Sequence, residues 1–290
     1  MPELTAAAPT TLDAELHAAT VLLAGAGSRD PRREAARLWA VLSDIRVGEV
    51  WLQRETPAPA ETATRFRAAV RRRVAGIPFA YVVGTAAFRA LELAIDERAL
   101  IPRPETEGLV DLVLRGSGER GVGRGGVVAD IGTGSGCIAL ALATEGSFGR
   151  VIATDVSEAA AALARENIVR VSPAVPVEVR VGDLLAPILG LRCRVIVANP
   201  PYLTESEWTA LDPDVRDHEP AIALVSGSDG LVATRRLLAG ARDVLEPGGL
   251  LALEIDERRA PEVQGLAQAA GWQVSIHRDL FGRPRYALAV

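Results

Sequence analysis

The stretch Val128-Ala129-Asp130-Ile131-Gly132-Thr133-Gly134-Ser135-Gly136 decides the fold of this chain. Its apolar first half is typical of a buried strand, and the Ala- and Leu-rich run 137–144 that follows is typical of a helix. Glycines at such a junction let the backbone turn tightly and approach a ligand, and doubly wound α/β folds bind cofactors at this place. The stretch therefore predicts a cofactor-binding loop after the first strand of such a fold.

The sequence beyond this loop alternates short β-branched runs with Ala- and Leu-rich segments. This pattern is typical of a parallel sheet that is covered by helices on both faces. The predicted strands are 127–131, 151–154, 177–181, 195–198, 250–255, 273–277 and 285–289. Seven strands with intervening helices predict a Rossmann-like, doubly wound α/β domain.

The sequence before the loop has a different character. Residues 12 to about 75 follow a helical pattern, and Asp30 is predicted to cap a helix that starts at Pro31. Apolar side chains at 66, 70 and 74 recur every fourth residue and are predicted to share a buried face. The arginines between them form either a solvated helix face or a surface that binds a partner. These arginines are Arg65, Arg67, Arg71, Arg72 and Arg73. A small helical domain is expected here.

Two segments connect the helical region with the α/β domain. Residues 82–101 alternate apolar and polar side chains, which predicts a hairpin with its turn at 96–98. A helix is predicted over 108–115, and the Gly- and Arg-rich stretch 116–126 is predicted to end it as a surface loop. The predicted domains are a helical domain over 1–84, a β-hairpin linker over 85–107 and a catalytic domain over 108–290.

Carboxylates follow two further predicted strands. Asp155 ends the second strand of the α/β domain, where a carboxylate can accept hydrogen bonds from both hydroxyls of a ribose. The alternative is a helix cap before Ser157. Asp183 ends the third strand and could accept a hydrogen bond from an adenine amino group while Leu184 packs on the ring. The alternative for Asp183 is a residue that only makes a turn.

The glycine loop fits neither phosphate-binding motif, because it has neither the GxGxxG spacing nor the GxxxxGK[ST] lysine. A ligand with an adenosine and no phosphates describes S-adenosylmethionine better than NAD or ATP. The residues predicted to bind this cofactor are Gly132, Thr133, Gly134, Ser135, Gly136, Asp155, Asp183, Leu184 and Asn199. The two cysteines, Cys137 and Cys193, have no metal-binding spacing, so no metal site is expected.

The segment Asn199-Pro200-Pro201-Tyr202 follows the fourth predicted strand. An amide NH2 is a poor nucleophile because its lone pair is conjugated, so an enzyme must hold both hydrogens and aim the nitrogen. The Asn199 side-chain oxygen and the Pro200 carbonyl can supply two acceptors, and Tyr202 can cover the planar group. These four residues are the predicted catalytic residues. The alternative is a Pro-rich loop that merely ends the strand.

The segment 101–107, which reads IPRPETE, precedes the helix predicted over 108–115. It is interpreted either as a helix-capping segment or as part of a wall over the methionine end of the cofactor.

The bulk properties narrow the classes of function. The chain has 290 residues, 49% hydrophobic content and a net charge of −5. The charge disfavours broad attraction to nucleic acid, and no stable nucleic-acid partner is expected. No run reaches the length of a membrane span, residues 1–9 lack the pattern of a secretory leader, and the cysteines suit a reducing compartment. A cytoplasmic protein is expected.

Five segments together resemble the HemK/PrmC family, the protein-(glutamine-N5) methyltransferases of release factors. They are IPRPETE at 101–107, DIGTGSGCIALALA at 130–143, NPPY at 199–202, RDHEPAIAL at 216–224 and DLFGRPR at 279–285. The resemblance implies a class I methyltransferase domain and an N-terminal domain that helps to recognise a release factor. It also implies transfer of a methyl group from S-adenosylmethionine to the glutamine of a Gly-Gly-Gln motif.

Three alternatives remain at this point. NPPY-like loops also serve enzymes that methylate exocyclic amines of adenine or guanine, which must flip a base and grip phosphates. A glutamine of a ribosomal protein would present the same amide to the same loop. A Rossmann-like binding module without activity would not need Asn199 and Tyr202 beside a complete cofactor site.

Overall fold

The computed structural model describes residues 10–119 and 125–290. Part of the predicted loop 116–126 and the start of the chain therefore lie outside the described residues. The chain divides into two compact units, Met1–Gly84 and Thr85–Val290.

The first unit is helical, as predicted. Its helices are α1 Leu12–Gly25, α2 Pro31–Ser43, α3 Val47–Leu52, α4 Ala60–Val74 and α5 Phe79–Val83. Asp30 caps α2 by accepting a hydrogen bond from the Arg33 N–H at 3.3 Å, and the prediction for Asp30 and Pro31 is confirmed. The predicted face at 66, 70 and 74 is confirmed for Phe66 and Val70, which are buried. It is wrong for the exposed Val74, because the helix ends at that residue.

Three arginines of α4 do more than solvate the helix. Arg67 forms an ion pair with the buried carboxylate of Glu15 in α1. Arg72 donates to the carbonyls of Tyr81 and Val82, and Arg73 pairs with Glu34 of α2 at 2.5 Å. These three arginines therefore connect elements of their own unit. Arg67 and Arg72 are nevertheless exposed, as the solvated-face interpretation predicts, whereas Arg73 is mostly covered.

The second unit contains a small hairpin and a seven-stranded sheet. Its strands are β1 Thr85–Phe88, β2 Leu91–Ala94, β3 Val127–Ile131, β4 Arg150–Asp155, β5 Val177–Val181, β6 Cys193–Ala198, β7 Leu245–Glu254, β8 Val274–Arg278 and β9 Pro284–Ala289. Its helices are α6 Pro104–Glu119, α7 Cys137–Glu145, α8 Glu158–Val171, α9 Glu205–Thr209, α10 Pro213–Arg216, α11 Val232–Gly240 and α12 Ala260–Ala269. The sheet order is β5-β4-β3-β6-β7-β9-β8, which confirms the predicted α/β class.

The expectation of a parallel sheet is wrong for one strand. Strand β9 runs antiparallel to both of its neighbours, β7 and β8. The connection 279–283 is too short for the crossover of about a dozen residues that a parallel pair needs. Strand β7 also begins at Leu245 instead of residue 250, because it includes the glycine pair at 248–249.

Helices cover both faces of the sheet, as predicted. Side chains alternate along each strand, so Val128 packs toward α6 and α7 while Ala129 packs toward α11 and α12. Buried residues of α6 and α7, such as Leu109 and Leu140, belong to the same hydrophobic core as Val128. With both faces covered, the ends of the parallel strands remain the place for a ligand.

The hairpin is confirmed, but its predicted turn at 96–98 is wrong. The turn lies at Arg89-Ala90, where Arg89 takes a left-handed φ of 54°. Its backbone N–H donates to a carboxylate oxygen of Glu107 at 2.8 Å, and its guanidinium pairs with Asp111 and Glu145. This turn contains no Gly or Asn, so sequence reasoning could not find it.

Helix α6 differs from the prediction at both ends. It begins at Pro104 instead of residue 108, because proline is well tolerated in the first turn. It also continues through Gly116 to Glu119. This extension contains Gly116 and Gly118, each of which costs about 1 kcal/mol in a helix without by itself ending it.

Candidate active site

The carboxyl ends of four parallel strands meet at one cavity. Ile131 of β3 lies in register with Thr154 of β4 and with Ala198 of β6, so the residues that follow these strands are neighbours. The cavity has a volume of about 510 Å³, within the range of about 300–1,000 Å³ that is usual for ligand pockets. The predicted site residues that line it are Gly132, Thr133, Gly134, Ser135, Asp155, Asp183, Leu184, Asn199 and Pro201. Gly136, Pro200 and Tyr202 are not among its lining residues.

The glycine loop is shaped by its backbone and by one buried acid. Gly132 and Gly134 have φ values of 72° and 55°, in the left-handed region that favours glycine. The Thr133 hydroxyl donates to Asp130 at 2.6 Å, and the backbone N–H of Ala139 donates to the same oxygen at 3.1 Å. Burial raises the pKa of Asp130 to about 7. Asp130 therefore fixes both the loop and the start of α7.

Asp155 holds two backbone groups at the edge of the cavity. Its carboxylate accepts from the N–H of Gly134 at 2.8 Å and from the N–H of Ser157 at 2.9 Å. Burial raises the pKa of Asp155. Helix α8 is capped by Ser157, whose hydroxyl accepts from Ala160 N–H at 3.2 Å, so the alternative interpretation of Asp155 as this cap is wrong. Each carboxylate oxygen has lone pairs left for a ligand in the cavity.

Asp183 lies beside a positively charged neighbour that the sequence did not reveal. Arg236 of α11 donates to both carboxylate oxygens of Asp183, at 3.2 and 2.6 Å, and also lines the cavity. Leu184 follows with a left-handed φ of 47° and packs against the core. Both residues thus lie at the cavity rim.

The Asn199 side chain takes part in a chain of hydrogen bonds. Its Nδ2 donates to the hydroxyl of Thr106 at 3.1 Å, and that hydroxyl donates to Glu254 Oε2 at 2.7 Å. Thr106 and Glu254 are buried, and burial raises the pKa of Glu254 to about 7. The loop continues to Tyr202, whose N–H donates to the Leu224 carbonyl at 3.1 Å and whose hydroxyl pKa burial raises to about 12. Tyr202 therefore carries a neutral hydroxyl at ordinary pH.

The IPRPETE segment starts a helix and contributes to the cavity wall, while its place over the methionine end of the cofactor stays a prediction. Pro104 starts α6, and Glu105 and Glu107 lie in the first helical turn. The residues immediately before the helix line the cavity. Glu219 of the RDHEP segment fixes this wall, because its buried carboxylate accepts from the Ile101 N–H at 3.1 Å and from Arg103 at 2.6 Å.

We expect Glu219→Ala to lower the free energy of unfolding by about 1–3 kcal/mol, because a buried N–H and a guanidinium lose their acceptor. Glu219→Gln should lose less, since its amide oxygen can still accept from Ile101 N–H. Denaturant unfolding measures both variants. Asp217→Ala is the matched control, because that exposed carboxylate pairs only with its neighbour Arg216 among the described residues. A loss for Glu219→Ala no larger than for this control would contradict the assigned role.

Several contributing residues were missed by sequence reasoning. Asn167 of α8 is buried and bonds to the backbone N–H and carbonyl of Ala94 and to the carbonyl of Ser135, at 2.7–2.9 Å. It thereby connects the hairpin to the glycine loop. Glu254 lies inside the predicted apolar strand 250–255, and a polar residue in such a run was the available signal. Thr106 and Glu219 lie inside the polar motifs quoted above, where no such contrast marks them.

The residues around the cavity suit an adenosine-containing cofactor without phosphates. Asp155 offers carboxylate lone pairs, and the buried hydroxyl oxygen of Ser135 has no hydrogen-bond partner within the described residues. Such an orphan polar group is expected where a ligand or a water completes the site. In ranges 10–119 and 125–290, no cluster of His, Cys, Asp and Glu could hold a metal ion. No helix in these ranges is long and apolar enough to cross a membrane.

Family models match both the N-terminal and the α/β part of the chain, and curated relatives match nearly its whole length. The family model described as the PrmC N-terminal domain matches residues 15–84, and that of the methyltransferase small domain matches 118–212. A release factor glutamine methyltransferase of Cereibacter sphaeroides is 40% identical over 94% of this chain and 96% of its own length. The enzyme of the same name from Moorella thermoacetica is also 40% identical, over 96% of this chain and 98% of its own.

Solved structures show the same fold at low identity. A methyltransferase from Pyrococcus furiosus matches with a TM-score of 0.51 and 21% identity, over 80% of this chain and 98% of its own. The catalytic domain of hMettl16, in complex with the MAT2A 3′UTR hairpin 1, matches with a TM-score of 0.56 and 18% identity. That match covers 79% of this chain and 80% of the other. At these identities the likeness concerns the fold alone.

Proposed function

The chain belongs to the release factor glutamine methyltransferases, and we propose that its methyl acceptor is the side-chain nitrogen N5 of the glutamine in a Gly-Gly-Gln motif. S-adenosylmethionine is the cofactor, and it supplies a methyl group that is already activated as a sulfonium. The observation that supports this proposal most strongly is the Asn199 amide, held at the wall of the cofactor cavity with its nitrogen turned toward Thr106.

In this proposal, Asn199 orients the substrate and does not remove a proton as a base. Because Nδ2 is bonded to Thr106, the Asn199 Oδ1 remains an acceptor for one amide hydrogen of the glutamine. The Pro200 carbonyl accepts the other, and Tyr202 covers the planar amide. Alignment of two reacting groups can contribute about 7–11 kcal/mol in favourable cases. Such alignment is the contribution needed for a conjugated, weakly nucleophilic nitrogen.

The proposed cofactor site follows the strand ends. Asp155 accepts hydrogen bonds from the ribose hydroxyls in addition to those from Gly134 and Ser157. Asp183 accepts from the adenine amino group while it remains paired with Arg236, and Leu184 packs on the ring. The loop 132–136 approaches the methionine part with its backbone. Its turns need the left-handed glycines that the structure contains.

We propose peptide-chain release factors as the protein partner and the helical unit as a part of the enzyme that recognises them. A cytoplasmic location follows from a substrate of the translation apparatus, and the two buried, unpaired cysteines suit a reducing compartment. The same loop would also accept a nucleic-acid amine or a ribosomal-protein glutamine. The net charge of −5 disfavours the first, and the relatives named above favour release factors over the second.

The proposal is tested by incubating the protein with labelled S-adenosylmethionine and one candidate acceptor at a time. The acceptors are a release factor, its Gly-Gly-Ala variant, a purified ribosomal protein fraction, RNA and DNA. We expect label in the release factor alone, and none in its Gly-Gly-Ala variant. If RNA, DNA or a ribosomal protein is labelled and the release factor is not, the labelled molecule is the methyl acceptor and the proposed substrate is wrong.

A further inference from the structure

The buried side chains of Thr106 and Glu254 are linked to Asn199 by hydrogen bonds, and Thr106 also lines the cavity. Thr106 belongs to the first turn of α6, and Glu254 is the last residue of β7. Their side chains are 2% and 1% exposed, so no solvent competes for their hydrogen bonds. Burial of a carboxylate is unfavourable unless the group is hydrogen-bonded or paired, and Glu254 accepts a hydrogen bond from Thr106.

The direction of each hydrogen bond is set by Glu254. In its ionised form this carboxylate carries no hydrogen and can only accept. The Thr106 hydroxyl has one hydrogen and donates it to Glu254 Oε2 at 2.7 Å. The hydroxyl oxygen can then only accept from Asn199, at 3.1 Å, and within that side chain only Nδ2 can donate.

The orientation of the Asn199 amide follows from this. A flip of about 180° of an asparagine amide group exchanges the positions of its oxygen and nitrogen at little steric cost. With the nitrogen facing the cavity, Asn199 would present donors to the two hydrogens of a substrate amide. We propose that Thr106 and Glu254 are positioning residues that hold the Asn199 oxygen toward the substrate. This inference rests on the proposed function, because it explains how the substrate amide is held.

The packing around the pair keeps it in place. Glu254 is paired with Tyr286 across β7 and β9, and the Tyr286 hydroxyl donates to the Glu105 carbonyl at 2.6 Å, one residue before Thr106. Burial raises the pKa of Glu254, and the nearby charge of Glu105 raises it further. The hydrogen bond from Thr106 and the charges of Arg285 and Arg103 lower it. Helix α6 and strands β7 and β9 thus pack around the hydrogen bonds that link Glu254 to Thr106 and Thr106 to Asn199. Asn199 is the proposed acceptor for the substrate amide.

Kinetics test the proposal with Thr106→Val, which keeps the side-chain shape and removes the hydroxyl. At pH 8, above the Glu254 pKa of about 7, we expect kcat to fall at least about 10-fold. The KM for the release factor and the Kd for S-adenosylmethionine should stay within about 3-fold. Thr106→Ser restores the hydroxyl and should return kcat to within about 3-fold of the wild type.

Control variants separate this role from simple damage. Thr144→Val removes an exposed hydroxyl of α7 that bonds only to the Leu140 carbonyl among the described residues, and it should leave kcat unchanged. Glu254→Gln keeps the size of the carboxylate but can present an NH2 to Thr106, so it should lower kcat as well. If Thr106→Val does not bind S-adenosylmethionine, the kcat of Glu254→Gln tests the proposal instead. Wild-type kcat in both variants, or equal losses in Thr106→Val and Thr106→Ser, would overturn the proposal.

A measurement without substrate separates this inference from the proposed function. In NMR spectra of the ¹⁵N-labelled protein, the Asn199 side-chain NH2 pair is assigned by its absence from Asn199→Ala. We expect slow hydrogen exchange of this pair in the wild type and in Thr106→Ser, and fast exchange in Thr106→Val. Equal exchange in all three would overturn the positioning role even if methylation is observed. An inactive wild type with the expected exchange would instead overturn the substrate.

Discussion

Asn199→Ala is expected to lower kcat for release-factor methylation by at least about 100-fold, the effect that a misplacement of about 1 Å can have on a positioned reaction. The variant loses the side-chain oxygen that is proposed to hold one hydrogen of the substrate amide. The fold should survive, because Asn199 is only half-buried and follows the end of β6. Single-turnover kinetics with labelled S-adenosylmethionine measure the loss.

The Kd for S-adenosylmethionine, measured by calorimetry, provides the control for this variant. We expect it to change by less than about 10-fold, which corresponds to about 1.4 kcal/mol. Asn199→Asp keeps a side-chain oxygen as an acceptor but cannot donate to Thr106. If this variant is more active than Asn199→Ala, the oxygen itself contributes more to kcat than its orientation does. A near wild-type rate for Asn199→Ala would contradict the orientation mechanism.

Asp155→Ala is expected to raise the Kd for S-adenosylmethionine by roughly 10- to 100-fold, because a hydrogen bond to a charged group contributes about 1.5–3 kcal/mol. The side chain also holds the Gly134 N–H at 2.8 Å, so part of any loss could come from the glycine loop. Asp155→Asn is the matched variant, since its amide oxygen still accepts one backbone hydrogen bond. Calorimetry on both variants gives the first comparison.

A cofactor analogue that lacks the ribose 2′-hydroxyl separates the ribose from the loop. The wild type should bind this analogue more weakly than S-adenosylmethionine, whereas Asp155→Ala should bind the two with similar Kd values. Such a double-mutant cycle isolates the direct interaction from changes in the loop. If Asp155→Ala still discriminates fully between the two ligands, the carboxylate serves the loop alone.

The parts of the fold that sequence reasoning predicted share a local cause. Strands β3 and β5 begin and end where the β-branched runs do, and Asp30 caps α2 as its position before Pro31 indicates. The site residues that line the cavity were found for the same reason, because parallel strands bring their carboxyl ends together. Local pattern and a general property of the fold were sufficient there.

The parts that were missed depend on contacts between distant segments. The turn at Arg89 is held by carboxylates of α6 and α7, and the ion pair of Asp183 with Arg236 joins residues 53 positions apart. The hydrogen bond from Thr106 to Glu254 spans 148 positions. A buried polar residue is visible in a sequence, but its partner is fixed only by the tertiary structure.

The most direct test of the proposed reaction is tandem mass spectrometry of a release factor after incubation with this protein and S-adenosylmethionine. The peptide that contains the Gly-Gly-Gln motif should gain one methyl group, and fragmentation should place it on the glutamine side chain. The Asn199→Ala protein should leave that peptide unmodified. A methyl group on another residue, or none on a release factor in the presence of active cofactor binding, would contradict the assignment of the glutamine nitrogen as the methyl acceptor.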